Sequence, residues 1–90
     1  MTNYSNGRRL EYLARDVLTS WGYTVIRSAG SKGPIDLCAI RGDGIILIQV
    51  KKSAKDVAAG VTALQAVSVP VGVRREVWQR ERGGWRIVTA

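Results

Sequence analysis

Ninety residues carrying a net charge of +7 and no histidine make one α/β-sized domain with a thin core. They exclude His-based general bases, His-activated nucleophiles and His-ligated zinc. The excess of cations and a pI near 10.3 point to a polyanionic partner, of which nucleic acid is the commonest; the plainer reading is a basic surface with no partner. The longest apolar run, Ile45 to Ile48, is strand-sized and far short of the ~20 residues that cross a bilayer. The lone Cys38 cannot form an internal disulfide, and the N-terminus has no signal-peptide core. A cytosolic protein is therefore expected, host cytosol if the chain is virus-encoded, with no membrane partner and no small-molecule cofactor.

The first element is a helix over about residues 5–21. Leu10, Leu13, Ala14, Val17, Leu18 and Trp21 fall on one apolar face, and Gly22 is its C-terminal stop. Tyr23 to Ser28 is rich in β-branched residues and predicts a strand. Residues 29–34 form a loop. Ile35 to Ile40 and Ile45 to Lys52 predict two strands joined by the Arg41-Gly-Asp-Gly44 turn, hence a hairpin. Ser53 with Asp56 three residues on reads as a capping box opening a helix to about Gln65, with Val57, Val61 and Leu64 inward; Gly60 weakens that helix by roughly 1 kcal/mol. A fourth strand is expected over about 69–79 with Pro70 at its start. After Arg82-Gly-Gly84 a last strand runs from Trp85 to Val88. The order α-β-β-β-α-β-β predicts one domain over residues 1–90: a mixed five-stranded sheet flanked by helices.

The chemistry concentrates in Pro34-Ile35-Asp36, then twelve residues, then Gln49-Val50-Lys51. Gln49 and Lys51 are two apart, so both side chains point to one face of their strand, and hairpin pairing brings that face beside Asp36. An acid, an amide oxygen and an ammonium converge. With the Val50 carbonyl they offer hard oxygen ligands to Mg²⁺, or to Mn²⁺ in its place. Lys51 would then orient the nucleophile or steady charge on a phosphate. The plainer alternative is a surface hairpin with an Asp–Lys pair worth under ~1 kcal/mol. Against it, the neighbouring Ile35, Leu37, Ile46 and Ile48 are strongly apolar, so polar side chains among them need partners. Glu11, at the edge of the first helix's apolar face, either pairs with Arg15 at i+4 or faces the hairpin and holds a water of the bound ion. A basic surface formed by Arg8, Arg9, Arg15, Arg27, Lys32, Lys52 and Lys55 is expected around this acidic site.

These residues resemble the archaeal-type Holliday junction resolvases, within the PD-(D/E)xK nuclease superfamily. The resemblance rests on Gly7-Arg8-Arg9 with Glu11, on Gly22 to Lys32, on Asp36-Leu37, on Ile46 to Lys51, and on Gly84 to Ile87. It covers nearly the whole chain. It implies a restriction-endonuclease-like fold and Mg²⁺-dependent cleavage of four-way DNA junctions by a twofold dimer. Glu11, Asp36 and Lys51 match catalytic positions of that family. Arg8, Arg9, Arg27 and the loop serines Ser28 and Ser31 match positions near DNA phosphates. The departure is Gln49, where the family usually has Glu; a natural amide variant is favoured over an engineered one. Two other readings share the motif: a non-catalytic junction-binding module with a degraded metal site, and a repair- or restriction-type nuclease acting on flap or duplex DNA. A homodimer is expected on one further ground: Trp78, Val77, Val67 and Val69 exceed what one small core needs.

Overall fold

The computed structural model describes residues 3–28 and 33–90, with side chains from Gly7 onward. Helix α1 spans Asn3–Ser20. It ends as its sequence predicts. Gly22 adopts φ +90°, the Tyr23 N–H donates to the Leu18 carbonyl (3.1 Å) and the Gly22 N–H to the Thr19 carbonyl (3.0 Å). This is a Schellman closure, and only glycine enters that left-handed position at no steric cost. Trp21 falls outside the helix and is half-exposed, whereas Leu10, Ala14 and Leu18 are buried.

The strands are β1 (Thr24–Arg27), β2 (Leu37–Arg41), β3 (Gly44–Lys51), β4 (Val73–Glu81) and β5 (Gly84–Thr89). They form a single sheet in the order β1-β2-β3-β4-β5. The β1–β2, β2–β3 and β4–β5 pairs are antiparallel and β3–β4 is parallel. A parallel pair needs a crossover, and the segment between them supplies it with a 3-10 turn, Ala54–Asp56, and helix α2, Val57–Gln65. The α/β class, the five strands and the mixed sheet agree with the sequence reading.

Strand alternation divides the core between two faces. Leu37, Ala39, Ile46, Ile48 and Trp78 pack under α1 with Ala14, Leu18 and Tyr23; on the other face Val77 packs with Val57 and Leu64 of α2. Val77 and Trp78 are both fully buried inside this one chain. They therefore give no surplus apolar surface, and the argument from them to a dimer does not hold.

Three local expectations shift. Ser53 takes the N-cap conformation but its side chain makes no cap hydrogen bond. The Asp56 N–H instead donates to the Ser53 carbonyl (3.1 Å), so a 3-10 turn forms where a capping box was expected and α2 begins at Val57. Strand β4 starts at Val73, not residue 69: the Val73 N–H donates to the Pro70 carbonyl (3.2 Å), and this turn, with Gly72 at φ +94°, delays pairing. Strand β2 starts at Leu37, leaving Asp36 one residue ahead of it. Among the described residues no helix is long and apolar enough to cross a membrane.

Candidate active site

Asp36 lies just before β2 begins, beside the stretch of β3 that runs on past it. Its N–H still donates to the Ile48 carbonyl and its carbonyl accepts from Ser28 N–H, both at 2.9 Å, so its backbone is fixed. Its side chain then caps the neighbouring strand: Oδ2 accepts the Val50 N–H at 2.8 Å. In a strand the N–H and carbonyl of one residue point to the same side. The Val50 carbonyl is thus directed to the edge that faces Asp36. Burial pushes the Asp36 carboxyl above the usual aspartate range. The Val50 hydrogen bond and the charge of Lys51 pull it back, and the charge of Glu11 adds to the rise.

Gln49 is buried. Its Nε2 donates to the Pro34 carbonyl at 2.9 Å, which fixes which end of the amide is oxygen. Among the described residues its Oε1 is the buried side-chain polar atom with no hydrogen-bond partner. An acceptor left so costs on the order of 1–3 kcal/mol, and a cation would supply the missing partner. Lys51 extends on the same face, as strand periodicity requires. Both reach Gly60 of α2: a Cβ there would stand 2.6 Å from Gln49 Oε1 and 3.3 Å from Lys51 Cε. Gly60 was read from sequence only as a weak point of the helix. The sequence shows neither its role nor that of the Pro34 carbonyl, because one depends on how α2 lies across β3 and the other on how the loop before β2 folds back beside it. A glycine retained mid-helix despite its cost is the one signal the sequence offered.

Glu11 sits on the sheet side of α1. Its partner is not Arg15 but Arg27 of β1, whose Nη1 donates to Glu11 Oε1 at 3.0 Å, with both side chains largely buried. That contact raises the Arg27 guanidinium further above its ordinary range. Arg15 pairs with Asp16 at 3.2 Å. Arg15 and Arg27 both lie over the Tyr12 ring, at 4.8 and 4.9 Å. Pairing wins at i+16 over i+4 because the helix face carrying Glu11 turns inward against β1, where water no longer competes.

Of the expected DNA contacts, Arg8, Arg9, Lys52, Lys55 and Ser28 are at the surface and Arg15 is half-buried. Ser31 and Lys32 lie outside the described residues. Ser28 also lines a cleft of about 390 Å³ with Pro34 and Ile35, directly ahead of Asp36.

The donor set suits a hard divalent cation: one carboxylate, one amide oxygen without a partner, one backbone carbonyl. It suits no soft or His-ligated metal, and no group of three or more His, Cys, Asp or Glu occurs among the described residues. A family model described as restriction endonuclease (Mrr_cat) matches residues 3–75, which hold Glu11, Asp36, Gln49 and Lys51 and end inside β4. No curated protein matches this chain. The chain therefore belongs to this restriction-endonuclease family, of the PD-(D/E)xK nuclease type.

Proposed function

We propose that this nuclease is a Mg²⁺-dependent endonuclease that resolves four-way DNA junctions and works as a homodimer. The observation that carries the metal-dependent chemistry is the partnerless, buried Gln49 Oε1 beside the strand end where Asp36 takes the Val50 N–H. Asp36, Gln49 Oε1 and the Val50 carbonyl would hold Mg²⁺ or Mn²⁺. When bound, such an ion lowers the pKa of water and polarises phosphoryl oxygens, the role a histidine base cannot fill in this chain. Lys51, on the same strand face as Gln49, donates to a phosphate oxygen and steadies its charge. Glu11 accepts a hydrogen bond from water on the α1 side, held in place by Arg27. Arg8, Arg9, Lys52 and Lys55 contact phosphates without reading sequence, so recognition follows the shape of the DNA. Two copies related by a twofold axis would match the symmetry of a junction.

Two observations favour narrower readings. The family match is to a restriction endonuclease model, which fits a nuclease of duplex or flap DNA equally well. Glu11 is already paired with Arg27 and Gln49 brings no charge, which fits a binding module that no longer cuts. Labelled junction, flap and duplex substrates incubated with Mg²⁺ decide among them. The proposal expects junction cleavage in preference to the others. Duplex or flap cleavage at equal rates removes the junction assignment, and tight junction binding without any cleavage supports the binding module.

A further inference from the structure

The far end of the sheet carries a second concave site. On the α1 face, helix α1 lies mainly over β1, β2 and β3, while of β4 the Trp78 ring packs beneath it. The space it leaves holds a cavity of about 310 Å³ lined by Trp21, Tyr23, Arg41, Arg74, Glu76 and Ile87, the small end of the ~300–1,000 Å³ range of ligand pockets. From Ile46 beside it to Lys51 is about 16 Å along β3, at ~3.3 Å per residue. It is therefore separate from the Asp36 site.

Its floor is a carboxylate. The Glu76 side chain is 12% exposed, and its Oε1 accepts the Trp78 indole N–H at 3.1 Å. Its Oε2 has only Arg74 Nη1 at 3.9 Å, too long for a hydrogen bond. The wall is Trp21, half-exposed and tilted against buried Trp78 with ring centroids 5.7 Å apart. An exposed indole is costly to leave in water, and the backbone that carries this one is tied down. Arg41 Nη1 donates to the Trp21 carbonyl at 2.7 Å. Arg41 is itself clamped by both Asp43 oxygens, at 2.6 and 2.8 Å, and lies 4.1 Å over the Tyr23 ring. The Arg41-Gly-Asp-Gly44 turn thus ties down the backbone that carries Trp21, whose indole leans on Trp78, and exposed aromatics so placed are the anchors of binding surfaces.

The charges select the ligand. A phosphate would meet the Glu76 carboxylate, while the nearby cations are already engaged, Arg41 by Asp43 and Arg74 by Glu76 and by the Tyr23 hydroxyl, to which it donates at 2.9 Å. A cationic ligand would meet Arg41 and Arg74. What remains is a flat, neutral group that stacks and offers N–H donors. We propose that this cavity receives one unpaired nucleobase of a DNA strand, stacked on Trp21 and hydrogen-bonded to Glu76. Guanine matches best: its N1–H and N2–H₂ present adjacent donors to the carboxylate. The proposal rests on DNA being the substrate of the Asp36 site, since an unpaired base reaches the cavity from a strand already bound.

The test is binding of a short oligo-dT strand, with and without one central dG, measured by fluorescence anisotropy in EDTA. The dG strand should bind about tenfold tighter, the effect of hydrogen bonds to a charged carboxylate that thymine cannot make in the same way. Trp21→Ala and Glu76→Gln should abolish that preference, and Trp21→Phe should keep it. If Trp21→Ala fails to fold, Glu76→Gln, which retains the oxygen that accepts from Trp78, carries the test. Equal binding of the two strands, or a preference that survives Glu76→Gln, overturns the proposal. Cleavage in Mg²⁺ is read separately: cutting without a dG preference removes this pocket and leaves the nuclease, and a dG preference without cutting does the reverse.

Discussion

Gly60→Ala tests whether α2 is shaped around the candidate active site. In an exposed helix this change would stabilise by about 1 kcal/mol, the difference in helix propensity. Here the new Cβ would stand 2.6 Å from Gln49 Oε1 and 3.3 Å from both Lys51 Cε and Val77 Cγ2. The amide cannot simply withdraw, because its other end donates to the Pro34 carbonyl at 2.9 Å. Overpacking of this kind costs ~1–3 kcal/mol, and breaking the Pro34 bond to relieve it costs a further ~0.5–1.5 kcal/mol. The net expectation is destabilisation by about 1–2 kcal/mol, which for a domain of this size lowers Tm by roughly 4–8 °C per kcal/mol. Thermal and urea unfolding of Gly60→Ala, Gln49→Ala and the double variant measure it. In the Gln49→Ala background the same Gly60→Ala change should become neutral or mildly stabilising, a coupling of about 1–3 kcal/mol between touching residues. A Gly60→Ala protein more stable than the parent by the full propensity gain would refute the argument.

Other outcomes follow from the same geometry. Asp36 has its folded-state pKa raised above the usual range, so its contribution to stability is present below the unfolded pKa and lost as pH rises through the folded one. Asp36→Asn should therefore raise the Tm of the metal-free protein at neutral pH and flatten its decline as pH rises above the usual aspartate range; a lower Tm contradicts this. Mg²⁺ at ten times its Kd stabilises by about 1.4 kcal/mol, so it should raise the parent's Tm by several degrees and leave that of Asp36→Asn unmoved. Gln49→Glu adds a charge at the ligand site, and calorimetry should find Mg²⁺ bound more tightly; equal or weaker affinity would place the ion elsewhere. DNA affinity should fall steeply with salt because it rests on phosphate contacts, and a flat salt dependence would exclude Arg8, Arg9, Lys52 and Lys55 as the contact surface.

The hairpin was legible because alternation is a local rule. Leu37, Ile46 and Ile48 had to share a face, which left Gln49 and Lys51 together on the other, beside Asp36; that Asp36 stands one residue ahead of its strand was not legible. The stop of α1 was legible in Gly22 for the same reason. What the sequence hid depends on packing between distant elements. Glu11 chose Arg27 over Arg15 because α1 lies against β1. Gln49 found Gly60 because α2 crosses β3, and Pro34 because the loop before β2 lies beside it. Trp78 vanished into the core although nothing local distinguishes it from the exposed Trp21. The capping box at Ser53 failed because a 3-10 turn took its place.

The central claim is that Asp36 organises metal-dependent cleavage of DNA. Single-turnover cleavage of a labelled four-way junction in Mg²⁺, by the parent and by Asp36→Asn, tests it most directly. The account predicts that the parent cuts and that Asp36→Asn loses at least about a hundredfold in rate, while binding the junction as tightly as the parent, since removing a negative charge does not weaken attraction to phosphates. Cleavage by Asp36→Asn at the parent's rate would contradict it.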